Sequence, residues 1–557
     1  MSDDPKQEPG SAPETPENPS AEEAPGTGSE ETTQGAGADA PDATRLGRRD
    51  LLKALASVPV LGLFFAGYYK KKLEEDAKRA AIMEELGISE GAPAFIPEAV
   101  SRPVGDRIRV GIIGNGGEGE SLIRSAGFAH PEWIENARKD AEENFRNRGF
   151  QTFMTQDDLN IELTAVCDVF DVRAQRGLDA AANKVGPTAE KSTATAKRYL
   201  RYTDMLESDE VDAVLIATPD HWHAQMCIDA ANAGKHIYVE KAMTRTEEET
   251  HRMYDVVKGS GVVFQLGHQQ RQTESHIKAK EVIDAGILGP INLVETTTNR
   301  NDPWGAWVWD IHEEGNPQTI DWEQFQGPTE NRYPFSLERF FRWRCWFDYG
   351  TGLSGDLLSH EYDAINQILE MGIPETAVSS GGIYFYKDGR DVPDVWQVSL
   401  EYPDRDLTLL YSATLSNGRW RGRVLMGHDA TLEVDNGLRV TVDRSSTRFK
   451  EKIEEKIIDT SRPMFTYQPG FTGLDAITSA TAEYFASRGL LYTYRGGRLV
   501  NSYHLHIAEW LDVIRNGGDT SCNIERGFEE AISCHMATRS YLEGRQVRWD
   551  PVARRIV

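Results

Sequence analysis

Apolar and polar residues are spread unevenly along this chain. Residues 1 to about 44 hold almost no aliphatic or aromatic side chains and are rich in Pro, Gly, Glu, Ser, Thr and Ala. Such a stretch cannot bury enough apolar surface to offset its chain entropy, so a disordered acidic tail is expected. An apolar run without a polar face then covers Ala54 to Tyr69, and residues 73 to 106 read as a connector, helical first and Pro-rich later. From residue 107 the pattern changes. Short apolar runs at Ile108–Ile113, Leu163–Cys167, Val211–Ala217, His236–Val239 and Val262–Gly267 alternate with helical stretches. Runs of that length rich in β-branched residues predict buried strands. Strand and helix in alternation predict a doubly wound parallel sheet over residues 107–270, leaving 271–557 for a second domain.

The first run leads directly into Gly114-Asn115-Gly116-Gly117-Glu118-Gly119, which satisfies G-x-G-x-x-G. In that fingerprint Gly114 permits the tight turn, Gly116 lets backbone N–H groups approach a pyrophosphate, and Gly119 lets the following helix pack closely on the strand. Asn115 and Gly117 complete the loop. The second element of the fingerprint is an acid at the end of the next strand, here Asp168. It lies well beyond the roughly 20 residues expected. The polar excess, about Pro131 to Asp158, reads as a surface insertion. An acid at this position accepts from a ribose 2′-hydroxyl and repels a 2′-phosphate, favouring NAD, with nearby Arg173 keeping NADP as the alternative. Two further strands end in polar clusters, Thr218-Pro219-Asp220-His221-Trp222-His223 and Glu240-Lys241-Ala242-Met243. Ligands bind at such strand ends.

The formal net charge of -27 excludes a basic nucleic-acid-binding surface. Five scattered cysteines without a C-x-x-C pair imply buried thiols and neither a disulfide framework nor a structural zinc site. No H-E-x-x-H or similar cluster occurs, so no metal is expected. Ahead of the apolar run stands Gly47-Arg48-Arg49-Asp50-Leu51-Leu52-Lys53. Residues 45–72 thus resemble a twin-arginine export signal, placing the protein in the periplasm. No A-x-A site follows, and Lys70, Lys71 and Lys72 come directly after the run. A membrane anchor through 54–69 facing the periplasm is the alternative, although the run is shorter than the ~20 residues of a spanning helix.

Taken in order, GIIGNGGEG, AVCD, ATPDHWH, GKHIYVEKAM and FQLGHQQR resemble the Gfo/Idh/MocA oxidoreductases. The later segments IDWEQFQGP, WFDYGTGLSGDLLSHEYDAI, HIAEWLDVIR and VRWDP extend the likeness over residues 107 to 552. The resemblance implies a second, α+β domain built on a large, mostly antiparallel sheet, an active site between the domains, and a homo-oligomer. It also implies a catalytic lysine, here Lys241, with an Asp and a His four apart, here Asp356 and His360. Where the family has proline after the lysine this chain has Ala242, so a cis peptide at that bond is not expected. The likeness further places Thr218, Pro219, His223 and Glu240 beside the cofactor.

Oxidising a sugar hydroxyl requires a base for its proton as hydride leaves carbon. His360 is assigned as the base and Lys241 as the group polarising the reacting oxygen, with the reverse assignment left open. If GDLLSHEYDAINQIL begins a helix, Asp356 and His360 share a face, and Asp356 either orients the imidazole or meets the substrate. Residues 301–349 are dense in aromatics, among them Trp304, Trp307, Trp309, Phe340, Phe341, Trp343, Trp346 and Tyr349. They suit either a carbohydrate-facing rim or a packed loop. Trp222, Gln269, Arg271, Arg344 and Trp346 are the candidate substrate contacts. His504 and His506 suit either capping or packing. The function expected is a sugar dehydrogenase with NAD held tightly and recycled. NAD-dependent glycoside cleavage and a non-catalytic sugar sensor are the alternatives.

Overall fold

The computed structural model describes residues 59–89, 91–93, 105–144, 147–187, 195–469, 492–495 and 498–557. The tail expected over 1–44, the pair Arg48–Arg49 and most of the Pro-rich connector lie outside the described residues. The chain divides into two compact units, Met1–Lys72 and Leu73–Val557. Of the first, only backbone within a helix spanning Pro59–Glu85 and a few side chains near its end are described. Among the described residues no helix is long and apolar enough to cross a membrane.

The second unit holds two large sheets. The first contains β1 (Ile108–Ile113), β2 (Ile161–Cys167), β3 (Lys197–Tyr199), β4 (Ala213–Ile216), β5 (His236–Val239) and β6 (Phe264–Leu266). Their order is β3-β2-β1-β4-β5-β6, and every pairing is parallel. The order reverses between β1 and β4, which opens a crevice at the carboxyl ends of those strands. Parallel strands covered on both faces carry apolar residues at successive positions, and all four residues of β4 are buried. One face packs Ile113, Val214 and Val239 against the helices Asp220–Asn232 and Glu247–Ser260. The other packs Val110, Ile112 and Leu215 against the helix Gly117–Ser125.

Ile507, Trp510 and Leu511 join that second face from far along the chain. They belong to the helix Ser502–Asn516, which therefore packs on the nucleotide-binding sheet although it lies in the C-terminal half. His504 and His506 are packing residues: His504 Nδ1 lies 2.9 Å from Ser125 O and His506 Nε2 lies 2.9 Å from Leu266 O. The cap is Asn501, whose side chain accepts from the Tyr503 N–H. The insertion after the glycine loop forms two helices, Pro131–Glu143 and Gly149–Met154, around Ile134 and Phe153.

The second sheet is built from β7 (Ile291–Asn299), β8 (Thr376–Gly382), β9 (Val395–Tyr402), β10 (Leu407–Thr414), β11 (Arg423–Gly427), β12 (Ala430–Val434), β13 (Leu438–Val442) and β14 (Phe465–Tyr467). A hairpin, β15 (Tyr492–Arg495) and β16 (Arg498–Asn501), stands apart, and β17 (Val547–Asp550) and β18 (Arg555–Ile556) close one edge. The ten-strand order is β14-β13-β12-β11-β7-β10-β9-β8-β17-β18, with β7 and β10 the parallel pair among antiparallel neighbours. The mostly antiparallel second sheet expected from the resemblance is present. Along β10, Leu407, Leu409, Tyr411 and Ala413 are buried while the residues between them face outward. This is the alternation of a sheet covered on one side. Tyr362, Ile365 and Ile532 from the helices Ser359–Leu369 and Ile524–Glu543 contribute to the same core. All five cysteines are buried and free, and among the described residues no His, Cys, Asp and Glu cluster could hold a metal.

Candidate active site

The crevice at the carboxyl ends of β1 and β4 opens into a cleft of about 420 Å³. Its nucleotide-side wall is made by Gly114, Gly116, Gly117 and Glu118 after β1, Asp168 after β2, Thr218 and Pro219 after β4, and Glu240 and Lys241 after β5. The opposing wall is aromatic, with Trp309, Phe325, Phe340, Phe341 and Trp343, and includes Arg344 and His360.

The glycine loop is shaped for a dinucleotide. Gly114 takes φ 85°, and a Cβ there would lie 2.8 Å from Ala217 O. A Cβ on Gly119 would fall on the carbonyl oxygen of Gly114, so helix and strand meet at a distance only glycine allows. The helix Gly117–Ser125 starts from Gly116 with no side-chain cap, leaving its first N–H groups for an anion. Asn115 is fully buried and acts from behind the loop. Its N–H donates to Asp168 at 2.6 Å and its side-chain amide to Arg173 O at 2.9 Å. Asp168 also accepts from the Phe170 N–H at 2.8 Å, so one carboxylate joins the loop to the end of β2. Burial raises Asp168 above the ordinary carboxylate value, against the opposing pull of Arg173 and the two N–H donors. Glu118 Oε1 is buried without a hydrogen-bond partner among the described residues, an acceptor suited to a ribose hydroxyl. These features fit a nicotinamide dinucleotide.

Replacing Asp168 with alanine removes both the loop's anchor and the expected ribose acceptor. Hydrogen bonds to charged groups are worth about 1.5–3 kcal/mol each, so NAD affinity should fall by ~10–100-fold. Calorimetric titration checks this, and NADP affinity should fall less.

At the other end of the cleft stands an ion cluster. Asp356 Oδ1 accepts from Lys241 Nζ at 2.8 Å and from Arg344 Nε at 3.0 Å. Its Oδ2 accepts from Trp307 Nε1 at 2.9 Å. Lys241 Nζ donates a second time, to the Asp356 main-chain oxygen at 3.0 Å. Burial alone would raise the Asp356 carboxyl, but Lys241 and Arg344 more than reverse this and hold it well below its usual range. His360 lines the cleft, with Nδ1 buried and unpartnered among the described residues, which leaves Nε2 for the cleft. Burial, then the nearby Lys241 and His268, hold the imidazole well below its ordinary pKa, so it is neutral at neutral pH.

The local backbone departs from the sequence reading in two respects. Asp356 lies in a π-helical turn, Ser354–Leu358, and His360 in the α-helix Ser359–Leu369 that continues it. The carboxylate is directed to Lys241, Arg344 and Trp307, and no hydrogen bond to the imidazole is found among the described residues. The Lys241–Ala242 peptide is cis, contrary to the expectation drawn from the missing proline.

Several candidates from the sequence fall outside the cleft. His223 is fully buried beneath it, with Nδ1 2.6 Å from Ala242 O and Nε2 2.8 Å from Thr218 O. It spans two segments of the wall and touches no cleft space. Gln269 donates to Tyr238 Oη and Glu240 Oε1 behind the wall. Arg271 is tied to Asp363 and the Ser521 carbonyl. Trp346 packs on the Arg339 guanidinium. For Gln269 and Arg271 the partners lie far away in sequence, whereas Arg339 and Thr218 are close along the chain to Trp346 and His223. Trp222 does line the cleft, its indole N–H donating to Phe325 O at 3.0 Å. Sequence reasoning did not single out Glu118, Tyr202, Phe325 or Tyr503 as cleft residues. For Glu118, its place inside the glycine fingerprint was the available signal.

Comparison with known proteins agrees with this geometry. Residues 108–268 match the model of the Gfo/Idh/MocA oxidoreductase family, NAD-binding Rossmann fold. The matched segment contains the glycine loop and all six strands of the first sheet. Levoglucosan dehydrogenase of Pseudarthrobacter phenanthrenivorans is 30% identical over 191 residues, 32% of this chain and 41% of that enzyme. The scyllo-inositol 2-dehydrogenase (NAD(+)) of Bacillus subtilis is 40% identical over 106 residues, 19% of this chain and 31% of that enzyme. Both alignments span less than half of the relative. Glycosyl hydrolase family 109 protein 1 of Shewanella sp. (strain MR-4) is 24% identical over 314 residues, 56% of this chain and 59% of that protein. A solved levoglucosan dehydrogenase, in complex with NADH and levoglucosan, superposes with TM-score 0.52 at 18% identity, covering 80% of this chain and 99% of that one. The shared fold thus includes the second sheet.

Proposed function

We propose that this protein is an NAD-dependent dehydrogenase that oxidises a hydroxyl of a sugar or glycoside. The observation that carries the proposal is the meeting, at one end of a dinucleotide cleft, of an ammonium locked by a carboxylate with a neutral imidazole. NAD, when bound, would supply the acceptor for the hydride. Two of the three Lys241 protons are engaged by Asp356, which fixes the ammonium and leaves the third for the reacting oxygen. His360, neutral and open to the cleft, takes the hydroxyl proton as the C–H electron pair leaves and C–O becomes C=O. The aromatic wall excludes water and offers ring faces to sugar C–H groups. The sugar dehydrogenases among the relatives support the same reading.

Because burial and the neighbouring cations depress His360, the base stays competent on the acid side of neutrality. The rate kcat/KM should hold level as pH falls through ~6.5, the ordinary histidine value. It should decline only lower, as the imidazole takes up its proton. A decline centred on the ordinary value would remove His360 from the role.

The direct test is to denature the purified protein, identify released nucleotide by mass spectrometry, and follow NADH formation over a panel of sugars. A protein that neither carries nor binds NAD would sink the proposal. Transient oxidation followed by elimination, giving glycoside cleavage without net NADH, is the second reading, and the glycosyl hydrolase family 109 relative favours it. Release of aglycone from a chromogenic glycoside separates the two. Export by a twin-arginine route, supported by Arg48-Arg49 ahead of the apolar run, belongs to the same proposal, because cofactor loaded before transport must be held tightly. Self-association is also proposed. The outer face of the second sheet exposes Val378 and Leu410, apolar positions that a second copy would cover.

A further inference from the structure

We infer that the sugar this cleft accepts carries a carboxylate, received by the free edge of Arg344. The inference rests on the dehydrogenase reading above and names its substrate class.

At the end of the cleft away from the glycine loop, Lys241 and Arg344 line the wall beside the neutral His360, together with Glu240, whose carboxyl burial raises well above its ordinary value so that it offsets little of their charge. The carboxylate that balances them, Asp356, is buried behind them and is not part of the lining. Both of its oxygens are taken, Oδ1 by the two cations and Oδ2 by the Trp307 indole. Arg300 and Asp220 also neighbour this cluster without lining the cleft; burial raises the Asp220 carboxyl above its ordinary value, and it accepts from the Thr351 N–H and hydroxyl. The wall therefore presents about one unit of uncompensated positive charge to the substrate.

The form of that charge is specific. Arg344 uses Nε on Asp356, and no described residue accepts from its Nη1 or Nη2. The guanidinium carbon lies 4.1 Å from the Trp343 ring centroid and 5.2 Å from that of Trp309, both cleft residues, so two aromatic rings flank it. A planar N–H edge held in place and opening into a cleft matches a carboxylate. A single surplus charge suits a monoanion, whereas a phosphate ester brings nearly two negative charges at neutral pH. A neutral sugar would leave a desolvated guanidinium edge without a charged partner.

The test uses the intact protein loaded with NAD. D-glucuronate, D-galacturonate, D-glucose, D-galactose and glucose 6-phosphate are each titrated calorimetrically and assayed for NADH formation. The uronates should bind and turn over ~10–100-fold better than their neutral counterparts, the value of a charge-assisted pair. Arg344→Lys, which keeps charge but removes the planar edge, and Arg344→Gln should both erode this preference. Nucleotide content and melting temperature in each variant report whether the cleft itself survives the change. Neutral sugars oxidised as well as or better than uronates, or a preference for the phosphate ester, would overturn the inference and leave the dehydrogenase reading intact. Bound NAD with no sugar of any kind binding or oxidised would overturn both.

Discussion

Lys241→Met is expected to reduce turnover by ~10²–10⁴-fold, the range associated with a positioned proton-transferring or hydrogen-bonding group. Methionine retains the length and apolar stem of lysine while removing the ammonium. Three interactions are lost together: the bond to Asp356 Oδ1, the bond to its main-chain oxygen, and the proton left for the substrate. Asp356 would keep Arg344 and Trp307 as partners, so its charge would not be stranded. The stability loss should accordingly stay below the roughly 3–5 kcal/mol seen when a buried charge loses its only partner. With one cation fewer, the Asp356 carboxyl should move back toward its ordinary value. A depressed carboxyl contributes stability above its unfolded pKa, and that stability is lost as pH falls through the folded value. The variant should therefore lose its acid-side stability at higher pH than the parent. Turnover, melting temperature against pH, and retained nucleotide are the three readouts. Undiminished turnover in a folded, NAD-loaded variant would exclude Lys241 from the chemistry.

The second large effect is expected at Gly119, which makes no contact with the cleft. Gly119→Ala would set a methyl group on the Gly114 carbonyl oxygen. Gly114 cannot easily move away, because its N–H donates to Cys167 O at 2.8 Å and its φ of 85° is already one that side-chain-bearing residues avoid. The loop or the helix must shift. Overpacking of this kind costs about 1–3 kcal/mol, and if the loop absorbs it NAD affinity falls by ~10–100-fold. Gly259→Ala is the control, since a Cβ there meets nothing within 4 Å and the residue lies outside the cleft lining. Equal NAD affinity in the two variants would show that the close approach at Gly119 does not shape the loop.

The nucleotide-binding half is legible in the sequence because its signals are local. A β-branched run, a glycine turn and a strand-end acid each report on their own few residues, and β1, the loop and Asp168 stand where those signals put them. The long insertion did not hide Asp168, because the strand before it is intact. The opposing wall is legible only in outline. That residues 301–349 are aromatic was plain, yet which rings face the cleft depends on how the loop folds: Trp309 and Trp343 line it, Trp346 and Tyr349 do not. Gln269 and Arg271 are instead held by Tyr238 and Glu240 and by Asp363 and Ser521, partners too far along the chain for any local pattern to reveal. The Asp356–His360 pairing assumed α-helical spacing. The π turn at Ser354–Leu358 alters that spacing and directs the carboxylate to Lys241, 115 residues away.

The return of the helix Ser502–Asn516 to the first sheet bears on how this protein is made. The sheet is complete in sequence by Leu266, yet Val110, Ile112 and Leu215 gain Ile507, Trp510 and Leu511 as neighbours only when the last tenth of the chain arrives. Ribosomes add ~5–20 residues per second, so part of one apolar face of the nascent nucleotide-binding half waits on the order of tens of seconds for its cover. During that interval it is a surface for chaperones, or for another nascent copy of itself. A release of the chain that stopped short of residue 502 would leave the sheet formed and that face only partly covered, by the helix Gly117–Ser125.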